Sequence, residues 1–243
     1  LNAAAARTTL PLNPLNEHQQ RAYDSIVESF RTKNVCLLHG VTSSGKTEIY
    51  IHLIEKVIRQ GKQVLYLLPE IALTTQITER LQRVFGSHLG IYHSKFPDAE
   101  RVEIWQKQLS DSGYDIILGV RSSVFLPFRK LGLVIVDEEH ENTYKQQDPA
   151  PRYHARNAAT VLAALYGAKT LLGTATPSIE TWHNAMSGKY GLVELKERYK
   201  EIQLPEIIPV DIKELQRKKR MNWQFSPLLL QYVRDALERK AKV

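Results

Sequence analysis

Short apolar runs alternate with longer stretches of helical character along most of the chain. The runs are Val35–Leu38, Val64–Leu68, Leu89–Tyr92, Asp115–Gly119, Leu133–Val136 and Thr170–Gly173. Each is rich in Val, Ile or Leu with no polar alternation, the pattern of a strand buried on both faces. Between them the spacing predicts helices over Glu17–Thr32, Lys46–Gln60, Thr74–Phe85, Asp98–Leu109, His154–Tyr166 and Ser178–Ala185. Gly61, Gly86, Gly113 and Gly167 fall where these helices end, as helix C-caps often do. Strands alternating with helices at this spacing predict an α/β fold, a mostly parallel sheet with helices on both faces.

After Gly191 the alternation lapses. Residues 192–224 carry Leu204-Pro205, Ile208-Pro209 and the basic run Arg217-Lys218-Lys219-Arg220. This composition predicts a linker or an extended arm. Ser226-Pro227 then supplies an N-cap and a first-turn proline for a helix over 227–240. The opening Leu1-Asn2-Ala3-Ala4-Ala5-Ala6 reads as a tag remnant or linker end, and the absence of an initiator Met suggests a fragment.

One loop carries the strongest chemical signal. Gly40-Val41-Thr42-Ser43-Ser44-Gly45-Lys46-Thr47 fits the P-loop pattern G-x-x-x-x-G-K-[ST], between a predicted strand and a predicted helix. Small residues let successive backbone N–H groups wrap a phosphate, and the helix N-terminus adds partial positive charge. Gly40, Thr42, Ser43, Ser44, Gly45, Lys46 and Thr47 are therefore the expected ATP contacts. Lys46 would neutralise β/γ charge and the Thr47 hydroxyl would reach Mg²⁺. The bland alternative is a chance match in a Gly/Ser turn. Asp137 and Glu138 end another apolar run, where Asp137 would hold Mg²⁺ and Glu138 would orient an attacking water. A solvated acidic turn is the alternative for that pair.

Composition narrows this further. Among 243 residues, 33 Lys and Arg outnumber 26 Asp and Glu, for a net charge of +7 that favours polyanionic partners. Cys36, the single cysteine, sits in an apolar run. It excludes an intrachain disulfide or a cysteine zinc site and fits a reducing cytoplasm. No apolar run reaches the ~18 residues of a membrane span, and no signal peptide is visible.

At Asp137-Glu138-Glu139-His140 the chain resembles the superfamily 2 helicases. Further strings follow in order: Pro69-Glu70-Ile71-Ala72-Leu73-Thr74, His93-Ser94, Gly119-Val120-Arg121-Ser122-Ser123, Tyr144-Lys145-Gln146, Arg152-Tyr153-His154-Ala155-Arg156 and Gly173-Thr174-Ala175-Thr176-Pro177-Ser178. Together they are similar to the bacterial replication-restart helicases, closely from Leu12 to Arg198. The resemblance implies a RecA-like P-loop lobe over 12–191, with 1–11 a remnant and 192–243 a connecting arm and the start of a second lobe. It implies 3′→5′ translocation on single-stranded or forked DNA, with other primosome proteins and single-stranded-DNA-binding protein as partners. The family's zinc insertion, its N-terminal DNA-binding region and most of its second lobe are not in this chain.

Residue roles follow from the same resemblance. Gln19 corresponds to an adenine-reading glutamine, although a polar helix start capped by Asn16 is an equal alternative. Thr74, Arg121, Ser122 and Ser123 fall in segments that contact the DNA backbone, with an intramolecular salt bridge as the alternative for Arg121. His140, Thr174 and Thr176 correspond to groups that link hydrolysis to DNA binding. The stretch 141–156 resembles an aromatic-rich coupling loop, in which Tyr144 and Tyr153 could stack on bases while Lys145, Arg152 and Arg156 hold phosphates. A surface loop whose tyrosines cap the core is the alternative. Ser43 replaces a glycine usual in the family. Three other classes are weighed: an RNA helicase or restriction motor, a nucleotide-gated binding module without hydrolysis, and a P-loop small-molecule kinase. The last leaves the threonines after Gly173 unexplained.

Overall fold

The computed structural model of the chain describes residues 11–41, 44–93, 96–195 and 207–240. Seven strands form one sheet: β1 Val35–Gly40, β2 Gln63–Leu67, β3 Leu89–Tyr92, β4 Ile116–Gly119, β5 Leu131–Asp137, β6 Lys169–Thr174 and β7 Gly191–Leu195. Their order is β3-β4-β2-β5-β6-β1-β7, and every pairing is parallel. Parallel strands need crossover connections, and helices supply most of them. These are α2 Lys46–Arg59, α3 Thr75–Phe85, α4 Asp98–Leu109, α5 Ala155–Leu165 and α6 Ile179–Met186, while α1 Glu17–Thr32 precedes β1.

The strands bury alternate residues in two separate cores. Cys36 and Leu38 of β1, Tyr66 of β2 and Ile135 of β5 pack beneath α1, α2 and α3. Leu37, Leu65, Val134 and Val136 face the other way, against α5 and α6, with Ile104 of α4 at the margin. This two-sided burial is why the strands read as unbroken apolar runs. Cys36 is fully buried, and burial pushes its thiol up to about 11, so it is inert packing as expected. No helix among the described residues is long and apolar enough to cross a membrane.

One strand was not legible in sequence. β7 lies beyond the expected end of the lobe at 191, yet it pairs with β1 through Cys36–Gly40 and buries Val193 and Leu195. The sheet therefore extends to Leu195, and the arm begins later than residue 192. β7 escaped notice because Glu194, on an edge strand with one exposed side, interrupts its apolar run. The chain divides into two compact units, Leu1–Glu201 and Ile202–Val243. The second holds α7 Ile212–Arg217, a short helix where an extended arm was expected, and α8 Pro227–Glu238. Ser226 caps α8, and Pro227 opens it as the sequence predicted. The expected remnant at 1–11 and the arm at 196–206 fall largely outside the described residues.

Helix α1 crosses β7 so closely that a Cβ on Gly191 would lie 1.8 Å from Ser29 Oγ and 3.3 Å from Cys36 Sγ. Gly191→Val should cost about 1–3 kcal/mol through overpacking, read as a lower urea midpoint by far-UV circular dichroism. An unchanged midpoint would detach β7 from the fold.

Candidate nucleotide site and its coupling surface

All strands run the same way, so their C-terminal ends meet along one edge. In sheet order, that edge carries His93 after β3, Val120–Ser123 after β4, Leu68–Thr74 after β2, Asp137–His140 after β5, Thr174–Thr176 after β6 and the P-loop after β1. Ligands of parallel α/β sheets bind at this edge. A cavity of about 730 Å³ opens there between the P-loop and the acidic turn, lined by Gln19, Gly45, Lys46, Thr47, Asp137 and Glu138 among others.

The P-loop is shaped for an anion. Gly45 caps α2 at φ 83° and offers no side chain to the helix's first N–H groups. Only glycine tolerates the position, because a Cβ would also lie 2.3 Å from Gln19 Nε2. Ser44 Oγ is buried without a hydrogen-bond partner beside this cradle. Lys46 is 8% exposed, donates to the Gly40 carbonyl at 2.9 Å and faces Glu138 at 3.8 Å. A phosphate entering this cradle would offer oxygens to Ser44 Oγ and Lys46. Thr42 and Ser43 lie outside the described residues.

Asp137 stands opposite, its carboxylate held by two tyrosines. Tyr50 of α2 donates to Oδ1 at 3.0 Å and Tyr66 of β2 to Oδ2 at 3.2 Å, while the Glu138 N–H reaches Oδ1 at 3.1 Å. Burial pushes Asp137 up to about 6 and the Glu138 charge adds to this, against the opposing pull of Lys46 and the Tyr50 hydrogen bond. A cation in this position would offset both the burial of the charge and the repulsion from Glu138. The oxygen donors Thr47 and Asp137 suit hard Mg²⁺, which shares its shell with phosphate and water and needs no closed protein cage. Glu138 adopts φ 45°, a left-handed conformation uncommon for a residue with a side chain. Its neighbour Glu139 is pinned by its N–H on the Gly173 carbonyl at 3.1 Å. Tyr50 fills the space beside Gly173, where a Cβ would sit 1.8 Å from its hydroxyl. Neither tyrosine was singled out in the sequence, although Tyr66 is the one polar-tipped residue within an otherwise aliphatic β2 core.

Gln19 is buried beside the P-loop, with both ends of its amide engaged. Oε1 accepts from Asn16 N–H at 3.0 Å and Nε2 donates to the Gly45 carbonyl at 3.3 Å. Asn16 accepts in return from Gln19 N–H at 2.9 Å, a complete capping box. Reading adenine would require Gln19 to exchange these partners.

The residues expected to couple hydrolysis to DNA separate into those joined to the site and those facing outward. His140 Nδ1 meets Thr174 Oγ1 at 2.7 Å, and Thr174 Oγ1 also accepts from Thr176 N–H at 3.0 Å. Tyr144 is 1% exposed, so it cannot stack on a base. Its hydroxyl bridges two strand ends instead, bonding the Leu67 carbonyl at 3.1 Å and the Asp137 carbonyl at 2.7 Å. Apolar packing of the ring outweighed the exposure its loop position suggested. Ser123 is likewise fully buried against Gly119 and cannot meet a phosphate. Arg156, expected to hold phosphate, is buried and ion-paired with Glu139 at 2.7 Å. Arg121 forms no salt bridge with the acids of the site: its guanidinium donates to the carbonyls of Thr143 and Lys145 at 3.1 and 3.3 Å.

A second groove of about 530 Å³ lies along the same edge, lined by Pro69, Glu70, Arg101, Arg121, Ser122 and Lys145 among others. Thr74 is exposed nearby in the chain as the N-cap of α3. Lys145 bonds the Arg152 carbonyl, Arg152 is exposed, and Tyr153 packs edge-on against Phe125 at 4.8 Å.

The profile of DEAD/DEAH box helicases matches residues 16–185. This chain belongs to the DEAD/DEAH box helicase family. Among curated relatives, replication restart protein PriA of Bacillus subtilis is 41% identical over 210 residues, covering 86% of this chain and 26% of the relative. Replication restart protein PriA of Rickettsia conorii is 44% identical over 232 residues, covering 96% of this chain and 35% of the relative. The chain thus spans about a quarter to a third of the relatives it matches. Solved helicases share the fold. Mycobacterium smegmatis helicase Lhr, bound to ssDNA and AMP-PNP, superposes with a TM-score of 0.51 at 22% identity, over 74% of this chain and 25% of that one. Helicase MrfA bound to DNA gives 0.53 at 20% identity, over 76% and 27%. The sheet described here is the RecA-like lobe of this helicase family.

Asp137→Asn should stabilise the nucleotide-free protein. The folded carboxyl binds its proton more tightly than the unfolded one, so its stabilising contribution is full below 3.8 and is lost as pH rises through about 6. The gain is expected to be up to about 3 kcal/mol at about pH 7.5 and to shrink towards zero at about pH 4, by urea unfolding. A variant less stable at the higher pH would contradict this electrostatic account.

Proposed function

We propose that the chain is the first ATP-binding lobe of a DNA helicase that moves 3′→5′ along single-stranded DNA in replication restart. The observation that carries this reading is the alignment of the phosphate cradle, the acidic turn and a cation-lined groove along one sheet edge. The similarity to replication restart proteins supports the choice of pathway.

The residues divide the work. Backbone N–H groups at Gly45–Thr47 bind phosphate, and Lys46 leaves the Gly40 carbonyl for the β/γ oxygens. Thr47 and Asp137 would hold Mg²⁺, which supplies charge neutralisation between the phosphates. Glu138 orients the attacking water, held towards Lys46 by its turn. Gln19 lies where it could read adenine after releasing Asn16 and Gly45. His140 with Thr174 and Thr176 joins the acidic turn to the next strand end.

DNA backbone contacts fall to Thr74, Arg121, Ser122, Lys145, Arg152 and the edge of Tyr153. Ser122 Oγ is buried and has no hydrogen-bond partner among the described residues, so it would meet a phosphate only after the segment shifts. Tyr144 acts as a coupling residue through its two carbonyl bonds and not as a base platform. The full-length protein is proposed to use forked DNA, other primosome proteins and single-stranded-DNA-binding protein as partners in the cytoplasm, with zinc bound outside this lobe.

A two-sided site explains what the lobe does alone. The opposing lobe of such motors contributes arginines worth roughly 10³–10⁵ in rate. The isolated lobe should bind Mg·ATP weakly, turn it over slowly and separate no strands; efficient unwinding by this chain alone would refute the proposal. In the full-length protein, Tyr144→Phe should leave ATP affinity within about twofold and reduce DNA-stimulated ATPase about tenfold, because only the bridging hydroxyl is lost. Full stimulation in that variant would remove Tyr144 from the coupling route.

A further inference from the structure

The carboxylate of Glu139 has no solvent exposure and takes no part in the proposed hydrolysis, yet it accepts four hydrogen bonds. Oε2 accepts from Arg156 Nη1 at 2.7 Å, Ser178 Oγ at 3.0 Å and Thr181 Oγ1 at 2.9 Å. Oε1 accepts from Ser178 N–H at 2.7 Å. Arg156 Nη1 also reaches Ser178 Oγ at 2.6 Å. A buried charge with no partners would be costly, and here each carboxylate oxygen is satisfied.

The position of this cluster in the chain gives it meaning. Glu139 follows Glu138, the residue proposed to orient water. Arg156 lies in the first turn of α5, at the far end of the loop that carries Tyr144, Lys145, Arg152 and Tyr153. Ser178 caps α6, just beyond Thr174–Thr176. One ion pair therefore closes the base of the loop and ties it to the acidic turn and to the start of α6. The loop's first limb is held separately, by Arg121 on the carbonyls of Thr143 and Lys145.

We infer that Glu139 and Arg156 form a positioning pair that transmits displacement of the loop to the acidic turn, and so sets how strongly DNA accelerates hydrolysis. Neither side chain reaches the nucleotide cavity. The pair acts through Glu138 on one side and through the loop on the other. This inference rests on the proposed DNA-stimulated ATPase.

The test uses the full-length protein with Arg156→Lys and, separately, the Glu139→Gln/Arg156→Met double change. Lysine keeps the charge but loses the planar fork that reaches Glu139 and Ser178 together. The double change replaces the ion pair by neutral groups of similar length, which buried pairs often tolerate. ATP affinity, basal ATPase, DNA-stimulated ATPase and the DNA concentration for half-maximal stimulation are measured, with thermal melting as the folding control. The expected result is basal turnover and ATP affinity within about twofold, stimulated kcat lowered about tenfold, and an unchanged half-maximal DNA concentration.

Retention of full stimulation in either folded variant overturns the inference. So does a parallel fall of basal and stimulated rates, or failure of both variants to fold, since each marks a purely structural pair. If the unmodified protein shows no DNA stimulation, the proposed function fails before the pair is tested.

Discussion

Parallel strands place every functional loop of this lobe at one edge. Such strands require crossovers, the crossovers cover both faces, and both faces must then be apolar. Only the edge remains for polar chemistry. In this sheet β6 separates β1 from β5, so the loop after β6 lies between the P-loop and the acidic turn. Thr174 is consequently buried between them and meets His140. Nucleotide and groove segments occupy neighbouring stretches of one line because strand order fixes them there.

The acidic turn is where the constraints converge. Asp137 is held by tyrosines from α2 and β2, and its carbonyl by a third from the loop that follows. Its raised proton affinity reflects burial first and the neighbouring Glu138 charge second, opposed by Lys46. Glu138 takes a left-handed backbone, and Glu139 is buried among donors from α5 and α6. Three consecutive acids thus meet three environments: cavity wall, solvent-facing turn and closed hydrogen-bond cluster. The left-handed backbone and the buried carboxylates are held in place by these surroundings.

The groove beside Arg121 and Lys145 is connected to that turn through main-chain carbonyls. Arg121 grips Thr143 and Lys145, Tyr144 between them reaches Asp137, and Glu139 returns to Arg156 at the loop's end. A phosphate drawn to Arg121 would compete with those carbonyls and shift the loop. Each of these links is a named hydrogen bond.

Much of this was determined by sequence alone. Continuous Val, Ile and Leu runs specified six strands, because burial on both faces leaves no room for polar alternation. Gly40–Thr47 and Asp137–Glu138 marked a candidate phosphate site in sequence, and Ser44–Thr47, Asp137 and Glu138 line one cavity in the fold. The seventh strand was hidden, because an edge position admits Glu194. Side-chain direction was hidden as well. Tyr144, Ser123 and Arg156 carry groups suited to DNA, and only tertiary packing turned them inward. Sequence records which chemistry a side chain can perform; whether it faces a ligand or its own backbone depends on which neighbours fill the space around it.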